Sequence, residues 1–411
     1  MIIDQNFIRT LQKESLEEYC LLHNVSVEEF CLKKHEDNKG ELNKFQNHQN
    51  IISELFVKHL NVLDSSSIDA VLDMDYDFSE SYRRGGIKDI EAFFLKYKYS
   101  TFFIDSDLLK NSAKDFKVNI NSDNWMISYI YKIPMIILYT PFIEAYVQRI
   151  PNDLPKIIVS NSLNNVFENG IIPLLINHIF TIEKEEDGLP RFYLLPNTVP
   201  PSDLASTGDM IIEMAKFYLG QNAFIDFSKT RKSEAYPIFG TPFSIGINLF
   251  TILHEYSHVI YSHFEKKSEI IDEAFADNLA LNILIERTLT ELKSYGLDSD
   301  RSTVAFFRIY SFTLLAPMVM MHFLTVTKIL LNAESSPTHP HPNARQWYLQ
   351  EILMIYFKNR PPLKEQLEKI SGLINNVFDY IYQKLGSKDK GINEQDMISV
   401  SNISLPVQFM K

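Results

Sequence analysis

A pair of histidines four residues apart limits the folds available to this 411-residue chain more than any other feature. His254 and His258 lie within Ser244–His263, a stretch that contains no proline and whose apolar residues recur at helical spacing. Such spacing predicts an α-helix. Residues i and i+4 share one face of a helix, so both imidazoles point at the same place. The chain must then fold so that a second element meets this face.

The residues between the histidines complete the pattern His254-Glu255-Tyr256-Ser257-His258, an HExxH sequence. Two imidazoles on one helical face can bind one zinc ion. Glu255 lies one step round the helix, where its carboxylate can take a proton from a zinc-bound water molecule. The pattern therefore indicates hydrolytic zinc chemistry.

The segment after this helix offers a further ligand. Lys266-Lys267-Ser268 predicts a turn with Ser268 as the N-cap of a second helix, in which Glu269, Glu273 and Asp277 follow one another every four residues. A catalytic zinc site needs a third protein ligand, and Glu273, fifteen residues after His258, is our candidate. Asp277, one turn later, would accept a hydrogen bond from a ligating imidazole.

Alternatives to this ligand set exist. A stripe of acidic residues is ordinarily a solvated helix face, but the residues around Glu273 and Asp277 are largely apolar. Asp277 would itself be the ligand if the turn were longer. His263, five residues after His258, is another candidate, although a histidine at a helix end is more often a surface residue.

The rest of the chain predicts an α+β fold, mostly helical with a small β-sheet. We expect a helical N-terminal region over residues 1–120, with helices at Asn6–Tyr19 and Asn50–Leu60, and a second domain over residues 121–411. Ile182–Gly188 is predicted to be a loop, and Asp203–Tyr218 a helix. Short strands are predicted at Thr101–Ile104, Met135–Tyr139, Lys156–Ser160, Arg191–Leu195 and Ala223–Phe227.

One segment raises the question of a membrane. Ile309–Thr327 contains no charged residue and is close to the minimum length of a spanning helix. Pro317 and His322 near its middle, together with several hydroxyl side chains, favour a buried core helix kinked at Pro317. We therefore predict no membrane partner.

Composition limits the partners and the compartment. The net charge of −12 argues against a protein that binds nucleic acid, because phosphate binding needs a basic surface. Two cysteines, Cys20 and Cys31, form no disulfide framework, and the N-terminus has no signal-peptide pattern. These features predict a cytoplasmic protein, and nothing in the sequence specifies an oligomeric state.

Two further sequence motifs resemble motifs of a known family. Glu273-Ala274-Phe275-Ala276-Asp277 resembles the ExxAD box of gluzincin metallopeptidases, in which the glutamate ligates zinc and the aspartate supports a ligand. Thr338-His339-Pro340-His341-Pro342-Asn343-Ala344-Arg345 is similar to the (S/T)HP…R box of HtpX-type peptidases. The order of the boxes also resembles, more loosely, that of phage-exclusion proteases of the Lit type. The resemblance covers roughly residues 240–350.

This resemblance implies a zincin-like fold and a Zn²⁺-dependent peptidase that cleaves an intracellular protein or peptide substrate, in a stress response or in phage defence. Zinc would be held by His254, His258 and Glu273. His339 and Arg345 would face the cleft and contact the substrate or the developing oxyanion. Two alternatives stay open. The His339–Pro342 segment could be only a rigid turn, and the chain could be a non-catalytic zincin-like zinc protein that acts as a regulator.

Overall fold

The computed structural model describes the chain in separate stretches. They are residues 13–18, 20–21, 24–29, 135–138, 145–148, 155–184, 190–194, 201–219, 221, 230, 232–264, 269–294, 301–332 and 341–386. In parts of these stretches, 260–264, 269–272 and 301–306 among them, it describes the backbone alone. The chain divides into two compact units, Met1–Asp107 with Asn121–Leu163, and Leu108–Ile120 with Asn164–Lys411.

The first unit contains a mixed three-stranded sheet. Its strands are β1 (Met135–Leu138), β2 (Ala145–Gln148) and β3 (Lys156–Ser160). The central strand β3 pairs parallel to β1 and antiparallel to β2. Three consecutive residues of β3 are buried, as in a strand covered on both faces: Ile157, Ile158 and Val159.

The second unit is mostly helical. Helix α1 crosses its boundary, and π-helical turns precede α2 and α4. The elements in chain order are α1 (Asn161–Val166), a π-helical turn (Phe167–Ile171), α2 (Ile172–Ile179), β4 (Phe180–Lys184), β5 (Pro190–Leu194), α3 (Pro201–Tyr218), a π-helical turn (Tyr236–Gly240), α4 (Thr241–Phe264), α5 (Glu269–Ser294), α6 (Arg301–Leu331), α7 (Pro342–Tyr356) and α8 (Pro361–Lys384). Strands β4 and β5 form an antiparallel pair.

Helix α6 is the centre of this unit. It packs against α3, α4, α5, α7 and α8. Helices α4 and α5 also pack on each other, and α7 contacts α5. Aromatic rings that include Phe312 of α6 fill the space near the start of α4: Phe180, Phe239, Phe243 and Phe312. This packing brings the two helices that carry the predicted ligands together.

The predicted α+β class is confirmed, since helices dominate the described residues and the strands are few. The strand predictions that begin at 135, 156 and 191 are confirmed to within one residue at each end. The helix predicted at Asp203–Tyr218 is confirmed, with a start two residues earlier at Pro201. The loop prediction at Ile182–Gly188 is wrong at its start, because β4 continues to Lys184 in register with β5. A strand of a hairpin has a solvent-facing side and therefore tolerates charged residues.

Other predictions are only partly covered by the described residues. Residues 13–18 of the predicted first helix are helical. The helix predicted at 50–60 and the strands predicted at 101–104 and 223–227 lie outside the described residues.

Among the residues that the structure describes, two helical segments are long and apolar enough to cross a membrane, Tyr236–Val259 and Phe307–Leu331. Most of each segment is buried inside the protein, as in the core helix of a water-soluble protein, so this is weak evidence of a membrane span. The second segment contains the stretch predicted to be a core helix, and α6 continues through Pro317 as one helix.

Helices α4 and α6 approach each other closely at Gly246. A Cβ atom added there would lie 2.5 Å from the carbonyl oxygen of Thr313 and 2.7 Å from Cβ of Ala316. Pro317 has no N–H, so this carbonyl, four residues earlier, lacks its ordinary helical donor. The Thr313 hydroxyl in turn donates to the carbonyl of Pro242, at 2.9 Å. Gly246 thus lets α4 lie against the backbone of α6 at the proline.

We expect Gly246→Ala to lower the free energy of unfolding by about 1–3 kcal/mol, because the added methyl group meets backbone that cannot move aside. Gly372→Ala on α8 is the matched control, since a Cβ there meets nothing within 4 Å. It should instead raise stability by about 0.5–1 kcal/mol through helix propensity. Denaturant unfolding of both variants checks this, and equal effects at the two sites would contradict the close approach.

Candidate metal centre

Helix α4 places the two histidines of the HExxH sequence side by side. The Nε2 atoms of His254 and His258 are 2.9 Å apart, and the ring planes are nearly perpendicular at 88°. The side chains are 9% and 13% exposed, so both rings are largely buried, and His258 is the more exposed of the two. The two imidazole nitrogens therefore point at a common position, as the helical spacing predicts.

Helix α5 supplies a carboxylate to this position. Glu273 is buried, with one oxygen 3.4 Å from Nε2 of His254 and the other 3.4 Å from Nε2 of His258. The three candidate donor atoms lie within 4.8 Å of one another. His254, His258 and Glu273 could therefore hold a metal ion, as the sequence predicts.

Asp277 lies behind His254. It is fully buried, and its Oδ1 is 3.0 Å from Nδ1 of His254. Burial opposes the ionised carboxylate, but the charge and hydrogen bonds of Arg345 outweigh it and lower the pKa of Asp277. An ionised carboxylate only accepts, so in the neutral ring of His254 the proton lies on Nδ1, towards Asp277, and Nε2 keeps the lone pair with which it could ligate a metal ion.

Electrostatics favour protonation of His254 when no cation balances the acids. Burial and the neighbouring His258 disfavour the imidazolium, but hydrogen bonds to Asp277 and Glu273 outweigh them and raise the pKa of His254. The position between the two rings thus attracts positive charge.

Arg345 of α7 joins both acidic residues of α5. Its Nε and one terminal nitrogen each donate to an oxygen of Asp277 at 2.7 Å. The other terminal nitrogen lies 2.9 Å from Oε2 of Glu273. Such a bidentate pair fixes both distance and orientation. All three guanidinium nitrogens therefore contact carboxylates, where the sequence predicted contact with substrate or an oxyanion.

Glu255 is buried beside the two histidines, only 6% exposed. Burial raises the pKa of Glu255, while the positive charge that His254 and His258 can carry opposes this in part. Glu255 is not part of the group that could hold the metal. A carboxyl group so placed is able to take up and release a proton next to the site.

The other predicted residues lie elsewhere. His339 is outside the described residues, and so is the side chain of His263. His341 is buried at the start of α7, where its Nδ1 accepts a hydrogen bond from the backbone N–H of Asn343 at 3.3 Å. Burial, together with the charge of Lys328, lowers the pKa of His341 to about 4. The contact described for His341 is thus a helix cap.

Sequence reasoning missed a polar seam between α5 and α7. The Asn278 side chain donates to the Tyr348 hydroxyl at 3.2 Å, and that of Asn282 donates to Asn278 at 2.6 Å. One layer further, the hydroxyl of Tyr356 donates to Glu286. A signal was present, because polar residues recur every four positions at 278, 282 and 286, and the residues between them are all apolar. The seam lies beside the Asp277–Arg345 pair and fixes the register of the two helices.

Comparison of the chain with protein-family models, curated proteins and solved structures gives no match. The function of this site is therefore inferred from the contacts of its own residues.

Proposed function

We propose that this chain is a zinc-dependent metallopeptidase with a zincin-like arrangement of its helices. One observation carries the proposal: the two histidines of an HExxH helix converge on a buried glutamate of the next helix, and a further glutamate lies beside them. Two imidazoles with one carboxylate are a donor set of catalytic zinc sites, which keep a further position open for water or substrate.

The charge of the cluster supports a divalent cation. With neutral imidazoles, ionised Glu273 and Asp277 contribute two negative charges and Arg345 one positive charge, so the balance is −2 + 1 = −1, and it becomes −2 when Glu255 is ionised as well. An uncompensated buried charge is costly. A dication neutralises this group, and imidazole donors suit zinc better than the hard cations Mg²⁺ and Ca²⁺.

The residues of the site have different roles in hydrolysis. A bound zinc ion supplies Lewis acidity, which polarises a carbonyl group and makes water more acidic. Glu255 accepts the proton of the attacking water and passes it to the leaving amine. Asp277 holds His254 in the tautomer whose Nε2 can ligate, through the 3.0 Å contact to Nδ1.

Arg345 acts in this proposal by positioning the two carboxylates. Its contacts with Asp277 and Glu273 are 2.7–2.9 Å long, and its side chain is only 11% exposed. These contacts support a role in holding the ligands rather than in binding the substrate. Contact of His339 with substrate stays a prediction from the resemblance of its box.

The substrate we propose is an intracellular protein or peptide, cleaved in the cytoplasm. The absence of a disulfide framework supports an intracellular protein. The acidic net charge supports the expectation that nucleic acid is no partner. A role in a stress response or in phage defence rests on the resemblance of the motif order alone.

Glu273→Gln should weaken zinc binding more than about 100-fold, because a ligand loses its charge. Loss of a residue that only supports a ligand costs about 10–100-fold. The amide keeps nearly the same shape and can still accept from Arg345. Competition with a chromophoric chelator gives the affinity, and elemental analysis of the purified protein identifies the metal.

Glu286→Gln is the matched control for this test. Glu286 lies on the same helix, outside the metal cluster, and pairs with Tyr356. Its exchange should leave zinc affinity unchanged. The proposal fails if the wild-type chain binds no zinc, if it selects iron over zinc, or if both variants bind zinc alike.

A further inference from the structure

The start of α7 is tied to two other helices by a single buried side chain. Asn343 is 3% exposed, and its Oδ1 lies 3.0 Å from the Thr325 hydroxyl of α6 and 3.4 Å from the Tyr382 hydroxyl of α8. A buried amide is costly without partners, so these contacts favour one position of this turn over displaced ones.

The Tyr382 hydroxyl is itself held from α6. It lies 2.8 Å from Nδ1 of His322, whose Nε2 is 3.0 Å from the side-chain oxygen of Asn375. Because that oxygen only accepts, Nε2 carries the ring proton, and Nδ1 of His322 and Oδ1 of Asn343 are alternative acceptors for the one proton of the Tyr382 hydroxyl. The ring of His322 also stacks on Phe378, with centroids 4.5 Å apart and planes 7° from parallel. We call His322, Asn343, Asn375 and Tyr382, with Thr325, the helix-junction network.

The backbone of the same turn is fixed as well. His341 caps Asn343, and Pro342 occupies the first helical position, where the rigid φ of proline suits a helix start. Arg345 follows Asn343 by two residues and must reach both oxygens of Asp277 and one of Glu273. A three-point contact of this kind is lost by a small displacement of the turn.

We infer that Asn343, held by Tyr382 and Thr325, is a positioning residue for the metal centre, and that α8 is thereby coupled to a site that it does not line. The inference rests on the proposed function, since it concerns how the ligands are held. The helix-junction network fixes the position of the first turn of α7, and this turn carries Arg345. Arg345 in turn holds the carboxylate of Glu273 beside the two imidazoles and that of Asp277 behind His254.

Tyr382→Phe in the 411-residue chain tests the coupling, because it removes one hydroxyl and keeps the ring. We expect about tenfold weaker zinc binding by chelator competition, at the low end of the range for outer residues. We also expect a changed visible absorption spectrum when Co²⁺ is bound, since the geometry of the ligands changes. A purely structural role in α8 would lower stability without altering that spectrum.

Tyr380→Phe is the matched control on the same helix. Its hydroxyl contacts Asp209 of α3, away from α7, at 3.2 Å. Zinc affinity and the Co²⁺ spectrum should equal those of the wild type. If Tyr382→Phe does not fold, Thr325→Val tests the coupling instead. It exchanges the Thr325 hydroxyl, which donates to Asn343, for a methyl group of similar size.

The outcomes separate the two proposals. A wild-type chain that binds neither zinc nor cobalt overturns the proposed function itself. A wild type that binds both metals, with a Tyr382→Phe variant matching Tyr380→Phe in affinity and spectrum, overturns only the positioning role of the helix-junction network.

Discussion

Replacing Glu255 by Gln should reduce peptide-bond hydrolysis by roughly 10²–10⁴-fold while zinc stays bound. The amide has almost the shape of the carboxylate but cannot take up a proton from water. Glu255 is not among the residues that could hold the metal, so its loss should leave zinc affinity close to that of the wild type. The combination of lost activity and retained metal is specific to a general base.

The measurement is a survey of new protein N-termini in cells that express either the wild type or Glu255→Gln. Cleavages that appear only with the wild type identify the substrate, whose rate of cleavage is then compared with purified proteins. Glu213→Gln serves as the control, because Glu213 lies on α3 in a partly exposed pair with Lys216. It should cleave like the wild type.

The same survey separates the peptidase from its rival. A non-catalytic zinc protein with a regulatory role would bind zinc and give the same N-termini with both chains. A purely structural site has no use for a base next to the metal, and burying a carboxyl group as deeply as Glu255 opposes its ionisation. That arrangement is why we favour the enzyme.

The metal centre could be predicted to the extent that it is local in sequence. His254 and His258 share a helical face through their spacing alone, and Glu273 and Asp277 are acids with largely apolar neighbours in the following helix. The structure brings the first three together and places Asp277 behind His254. These relations depend on helical periodicity and on the cost of burying a charge, both of which are visible in the sequence.

The contacts with other helices that hold the site residues in place could not be predicted in the same way. Asp277 and Arg345 are 68 residues apart, and Asn343 and Tyr382 are 39 apart. No periodic pattern joins such positions, because their contacts depend on how α7 packs against α5, α6 and α8. His322 looked like an isolated histidine in an apolar helix, yet it has partners on both ring nitrogens. Supporting contacts between helices that are distant in sequence therefore emerge only from the tertiary structure.

Arg345→Met should lower the free energy of unfolding by about 3–5 kcal/mol with a chelator present, the range for breaking a buried ion pair from one side. Methionine fills much of the space of the arginine stem but leaves two carboxylates without their cation. Asp277 is fully buried and Glu273 nearly so, so water cannot replace the lost charge. Denaturant unfolding measures the loss.

A control and a rescue make the cause identifiable. Arg308→Met on α6 removes a half-buried arginine whose Nε donates to Gln366 at 3.3 Å, and it should cost only about 0.5–1.5 kcal/mol, as for one hydrogen bond. Asp277→Asn added to Arg345→Met should restore part of the stability, because it removes one stranded charge and keeps an acceptor for His254. A double variant no more stable than Arg345→Met would mean that lost packing, rather than the unpaired carboxylate, destabilises the chain.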